Sequence, residues 1–210
     1  MTPEVVHIRK TSPEYPATLR RYLGDVAPDA LWALGSLDLL RQRAVALFCS
    51  VKCPGDLILK TYNLAQGLRD KGVTVMGGFL SPMEKECLDL LLRGKQPVIV
   101  CYAKRLSHSR LPEKIAGALK DGRMLMISPF DEKVTRSTAA TASIRNEFVA
   151  ALAIKVFIAY AAPSSKTEQL CMDILKTDKP LFTLNDAYNR PLIDHGAIPI
   201  QPDNISALLA

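Results

Sequence analysis

Residues 44–78 read AVALFCSVKCPGDLILKTYNLAQGLRDKGVTVMGG, and this stretch decides the fold. Ala44–Cys49 is a short apolar run without polar alternation, the pattern of a strand buried on both faces. Residues 55–71 then switch to a helical period, with Leu57, Tyr62, Leu64, Ala65 and Leu68 on one face. Gly72 ends that helix, Val73–Met76 is a second apolar run, and Gly77-Gly78 follows. A strand, a helix and a strand in so short a span make a crossover unit, whose two strands lie parallel.

The same alternation continues toward the C-terminus. Ser81 opens a helix to about Arg93, and Glu84 three residues later completes a capping box. Otherwise Glu84 and Glu86 read as solvent-facing neighbours of Lys85. Residues 97–102 (PVIVCY) and 124–128 (MLMIS) are strands, separated by a short helix over 111–119. An Ala-rich helix over 138–152 precedes a strand over 156–159. A helix over 164–176, with Ser164 as its cap, precedes a strand over 180–184, and a last strand is expected near Ile198–Ile200.

Strands alternating with helices predict an α/β fold: a Rossmann-like, doubly wound and mostly parallel sheet. Residues 1–42 read as a short helical N-terminal leader, and 43–210 as the Rossmann-like domain. In the leader, Tyr15-Pro16-Ala17-Thr18-Leu19 opens one helix and Ala27-Pro28-Asp29-Ala30-Leu31 a second, with Pro near its first turn.

Composition excludes several classes. The chain has 210 residues, 48% of them hydrophobic and 23% charged, ordinary values for a globular domain with its own core. No apolar run reaches the roughly 18 residues of a membrane helix. The N-terminus lacks a basic-then-apolar targeting pattern, so a cytoplasmic protein is expected. The five cysteines, at 49, 53, 87, 101 and 171, read as reduced thiols. Cys49 and Cys53 have no second Cys/His pair, and His7, His108 and His195 are scattered, so no metal site or cofactor is expected. A net charge of +6, dispersed along the chain, is a mild sign of a nucleic-acid partner.

In an open parallel sheet, ligands bind beyond the carboxyl ends of the strands. Three exits there carry small, hydroxylated or glycine-bearing turns: Ser50-Val51-Lys52-Cys53-Pro54-Gly55, Gly77-Gly78-Phe79-Leu80-Ser81, and Ala161-Ala162-Pro163-Ser164-Ser165-Lys166-Thr167. Each leads into a helix N-terminus, where free N–H groups and the helix dipole favour an anion. Gly77 and Gly78 allow close backbone approach, and Lys52 and Lys166 supply point charges. The candidate phosphate-binding set is therefore Ser50, Lys52, Gly77, Gly78, Ser164, Ser165, Lys166 and Thr167. Arg145-Asn146, in SIRNEFVAALA, joins it as either a solvent-facing or a functional pair. Neither GxGxxG nor GxxxxGK[ST] is present, which argues against a dinucleotide oxidoreductase or a P-loop ATPase. No nucleophile-and-base pair marks a catalytic residue.

In segment order the chain resembles the DprA/Smf family of DNA-processing proteins, over roughly residues 13–190. The leader YPATL…APDALWALG is similar to that family's YPxxL…PxxLyxxG, and AVALFCSVK stands where it has a strand ending in GSR. VMGGFLSPMEKEC stands at its SGxAxGID…AH, SIRNEFVAALA at its RNRxIAGLS, and AAPSSKTEQ at its SGxxxTA loop. Here the GSR glycine and arginine are Cys49 and Val51, the second motif's basic residue is Leu80, and its histidine is Cys87. The chain resembles a compact branch without the family's C-terminal winged helix. The resemblance implies a non-enzymatic, homodimeric protein that binds single-stranded DNA, or another phosphate-rich ligand, in DNA processing or phage defence. It also implies an alternative, an antitoxin that neutralises a phosphoribosyltransferase-fold toxin by contact. A third reading is a nucleoside-monophosphate hydrolase of the related group with PGGxGTxxE, although here Phe79-Leu80-Ser81 follows Gly77-Gly78 and Glu84 is offset.

Overall fold

The computed structural model describes residues 4–106 and 111–209, so His108 lies outside the described residues. The elements are β1 (Val6–Arg9), α1 (Ala17–Leu23), β2 (Ala30–Gly35), β3 (Ala44–Phe48), α2 (Gly55–Asp70), β4 (Thr74–Gly77), α3 (Pro82–Leu92), β5 (Val98–Cys101) and α4 (Glu113–Lys120). They continue as β6 (Met124–Ser128), α5 (Ala139–Leu152), β7 (Lys155–Ile158), α6 (Lys166–Leu175), β8 (Leu181–Leu184), α7 (Arg190–Asp194), β9 (Ile198–Ile200) and α8 (Ser206–Leu209). No described helix is long and apolar enough to cross a membrane.

The strands form one nine-stranded sheet in the order β1-β2-β6-β5-β4-β3-β7-β8-β9. From β6 through β9 every pairing is parallel. β1 pairs with β2, and β2 with β6, in the antiparallel sense. The Rossmann-like α/β architecture expected from the alternation is therefore present. Side chains of one strand alternate between two cores. Ala44, Ala46 and Phe48 of β3 pack with α1, α5 and α6 on one face, while Val45 and Leu47 pack with α2, α3 and α4 on the other. Burial on both faces is why β3 reads as a continuous apolar run.

Part of the leader departs from expectation. The helix expected to open at 27–31 is instead β2, an edge-side extension of the sheet. Pro28 near a run of apolar residues imitates a helix start. Here the Tyr15 hydroxyl donates to the Pro28 carbonyl at 2.7 Å, and Leu31 and Ala33 alternate into the core while Trp32 faces the other way. Gly35 ends β2 with φ +114°, and a Cβ there would lie 2.3 Å from the Met124 carbonyl oxygen, so only glycine lets β2 approach β6.

Two caps are decided locally. Ser81 and Glu84 form the expected reciprocal capping box of α3. At α6 the cap is Ser165 rather than Ser164: the Ser165 hydroxyl accepts from the Glu168 amide at 3.2 Å. Ser164 occupies the left-handed region at φ 59°, and its amide donates to the Glu168 carboxylate at 2.7 Å.

Candidate nucleic-acid interface

The chain runs from β3 to β4 on one side and later returns to place β7 against the other side of β3. That makes the gap between the ends of β3 and β7 a topological switch point, where open α/β sheets bind ligands. The two turns there are stitched together. The Ser50 hydroxyl accepts from the Ala162 amide at 2.9 Å and lies 3.3 Å from the Ser165 hydroxyl. Ser50 is itself buried, and its amide donates to the Tyr160 carbonyl. Lys52 and Lys166 stand exposed on the two turns, Ser164 is exposed, and Thr167 is half-buried at the start of α6. The first-turn N–H groups of α6 have no acceptor within their own helix, and its dipole adds to the positive potential.

The β4 turn is built differently. Glu84 is buried, not solvent-facing, and its carboxylate accepts three amides: Cys49 at 3.0 Å, Leu80 at 2.8 Å and Ser81 at 3.3 Å. Burial raises the Glu84 pKa; those three amides and the nearby Arg145 pull it back only in part. The anion position that the turn's glycines suggest is thus already occupied, by a carboxylate of this chain.

Arg145 is also buried, at 4% exposure, and does not face solvent. Its guanidinium donates to the Cys101 carbonyl, at the end of β5, at 3.2 Å. It packs closely against the chain past β4: a Cβ on Gly78 would sit 1.3 Å from Arg145 Nη1. Gly78 makes room for this arginine, whereas Gly77, the last residue of β4, is buried against the Leu47 carbonyl and the Phe79 ring. Arg145 Nε is buried with no hydrogen-bond partner among the described residues. Burial lowers the Arg145 pKa, against the favourable field of Glu84. The half-buried Asn146 follows it on α5.

The structure therefore joins Ser50 to Ser165 directly and Gly78 to Arg145 directly. Lys52, Ser164, Lys166 and Thr167 sit on the first of these two assemblies. Sequence reasoning missed Glu84 as an internal anion, although its capping-box spacing marked the position. The cysteines are all free thiols. Burial pushes Cys87, Cys101 and Cys171 up to about 12, which keeps them protonated and weakly nucleophilic.

Comparison of the sequence with curated proteins finds no match. Among solved structures, DNA processing protein A from Streptococcus pneumoniae is similar with a TM-score of 0.80 and 18% identity, covering 97% of this chain and 74% of that one. A DNA processing protein A from Helicobacter pylori, described for its single-stranded DNA binding mode, has a TM-score of 0.75 and 20% identity over 98% and 94% of the two chains. A molybdenum cofactor binding protein from Rippkaea orientalis shares the fold more loosely, with a TM-score of 0.56 and 15% identity over 80% and 96%. Residues 6–201 match the family described as DNA recombination-mediator protein A, and the chain belongs to that family.

Proposed function

We propose that this protein binds single-stranded DNA along the carboxyl edge of its sheet, as a non-catalytic component of DNA processing. The observation that carries the reading is the joined pair of turns at the β3/β7 switch point. They present Lys52 and Lys166 to solvent, and neither lysine pairs with a carboxylate among the described residues. Backbone phosphates would meet these lysines, the hydroxyls of Ser164, Ser165 and Thr167, and the first-turn amides of α6. Arg145 would add its charge from beneath Gly78, with Asn146 beside it. Family membership supports the reading, as does a relative described by how it holds single-stranded DNA. Pairing into a homodimer belongs to the same proposal and is checked by sedimentation.

Nothing in the geometry favours the toxin-neutralising or phage-defence readings. The hydrolase reading would need Glu84 at a substrate, whereas its carboxylate is held by three backbone amides. The test is the affinity for oligothymidine across a salt series, for the wild type and for Lys52→Ala combined with Lys166→Ala. Affinity that falls with salt, and falls further in the double variant, supports the proposal. Salt-independent binding, or no loss in the variant, sinks it.

A further inference from the structure

A short 3-10 turn, Ala187–Asn189, follows β8 on the same carboxyl edge and carries one large side chain, Tyr188. It is 54% exposed, with no ring stacking or cation contact among the described residues. The turn beneath it is nevertheless fastened on every side. The Asp186 side chain accepts from the Tyr188 amide at 3.0 Å and pairs with Lys60 of α2. Asn189 is 1% exposed, and its Nδ2 donates to the Ala159 carbonyl at 3.0 Å and the Leu184 carbonyl at 3.2 Å. That ties the turn to the exits of β7 and β8 together. The arrangement holds even though Asn189 Oδ1 is left buried without a partner among the described residues. A rigid turn presenting an unused aromatic ring is what a stacking surface requires, because the ordering cost is met before any ligand arrives.

Its place on the edge indicates what would lie on it. β8 neighbours β7, and β7 neighbours β3, so the end of β8, which this turn follows, lies two strand spacings, roughly 10 Å, from the end of β3. That is within reach of a few nucleotides whose phosphates rest on Lys52 and Lys166. Bases in a duplex hide their faces; bases of a single strand expose them, and every base has a face that an aromatic ring can cover.

Resting on the single-stranded DNA reading above, we propose that Tyr188 is a base-stacking platform, so that this edge selects single strands that carry bases over bare phosphate backbone. The test compares oligothymidine with an abasic oligonucleotide of equal length, for the wild type, Tyr188→Ala and Tyr188→Phe. Tyr188→Ala is expected to weaken oligothymidine binding about tenfold, to leave abasic binding within about a factor of two, and to be rescued by Tyr188→Phe. An equal loss on both ligands, or none on oligothymidine, overturns the platform while leaving the phosphate site standing. A wild type that binds neither ligand overturns the single-stranded DNA reading, and the platform with it.

Discussion

Two regions of one sheet edge, the paired turns after β3 and β7 and the turn after β4, look alike in sequence: both carry Gly and Ser, and both lead into helices. They differ in how far the chain supplies its own anion. At β4 the chain supplies it, since the Glu84 carboxylate takes the amides of Cys49, Leu80 and Ser81 while Arg145 packs beneath Gly78. At β3/β7 an acidic side chain takes a single amide, Glu168 accepting from Ser164; Ser50 and Ser165 brace the turns, and Lys52 and Lys166 are left facing water. A small-residue turn ahead of a helix is thus evidence for an anion position, but the anion can be internal. The Glu84–Arg145 assembly holds the exits of β3, β4 and β5 in place; the lysine-bearing turns leave positive charge exposed.

The comparison breaks hardest at Glu84. Glu84→Ala strands three amides and leaves Arg145 without its nearby negative charge, so an unfolding loss of about 3–5 kcal/mol is expected by denaturant titration. Gly78→Ala comes next: its methyl group collides with the Arg145 guanidinium, and an overpacking loss of about 1–3 kcal/mol is expected. Gly55→Ala, where a Cβ meets nothing within 4 Å, is the control and should shift stability by less than about 1 kcal/mol. If the two glycines respond equally, the role assigned to Arg145 is wrong.

The lysine turn should show the opposite profile. Lys52→Ala with Lys166→Ala is expected to change stability by less than about 0.5 kcal/mol. The same pair should flatten the plot of log affinity against log salt by roughly 1.4. A double variant that unfolds but binds as before would reverse the two assignments.

The smallest expected effect is a pH dependence. Burial raises the Glu84 pKa in the folded state, so the folded protein holds that proton more tightly. Its contribution to stability is complete below the ordinary glutamate range and is lost as pH rises through the raised value. Glu84→Gln should remove this slope above the ordinary glutamate range, while Lys52→Ala with Lys166→Ala leaves it unchanged.

Much of the fold was legible because its signals are local. The apolar run of β3, the one-sided period of α2 and the Ser81/Glu84 capping box each depend on residues within a few positions of one another. The leader was less legible: Pro28 ahead of apolar residues fits a helix start, and only pairing with β6 and the tie to Tyr15 make Ala30–Gly35 a strand. The site was legible as a set of turns but not as a division of labour. Nothing near Gly78 in the chain announces that Arg145 will lie on it, and Glu84 beside Lys85 reads as an ordinary surface pair.

From β3 to β8 the sequence by itself determined the order of strands and helices, hence the parallel sheet and the carboxyl edge on which its small-residue turns fall, because hydrophobic period and capping act over one or two turns of chain. The tertiary structure decided which charges on that edge are paired or buried and which stay exposed. Desolvation and hydrogen bonding depend on neighbours in space, and those of Glu84, Arg145 and Ser50 come from distant parts of the chain.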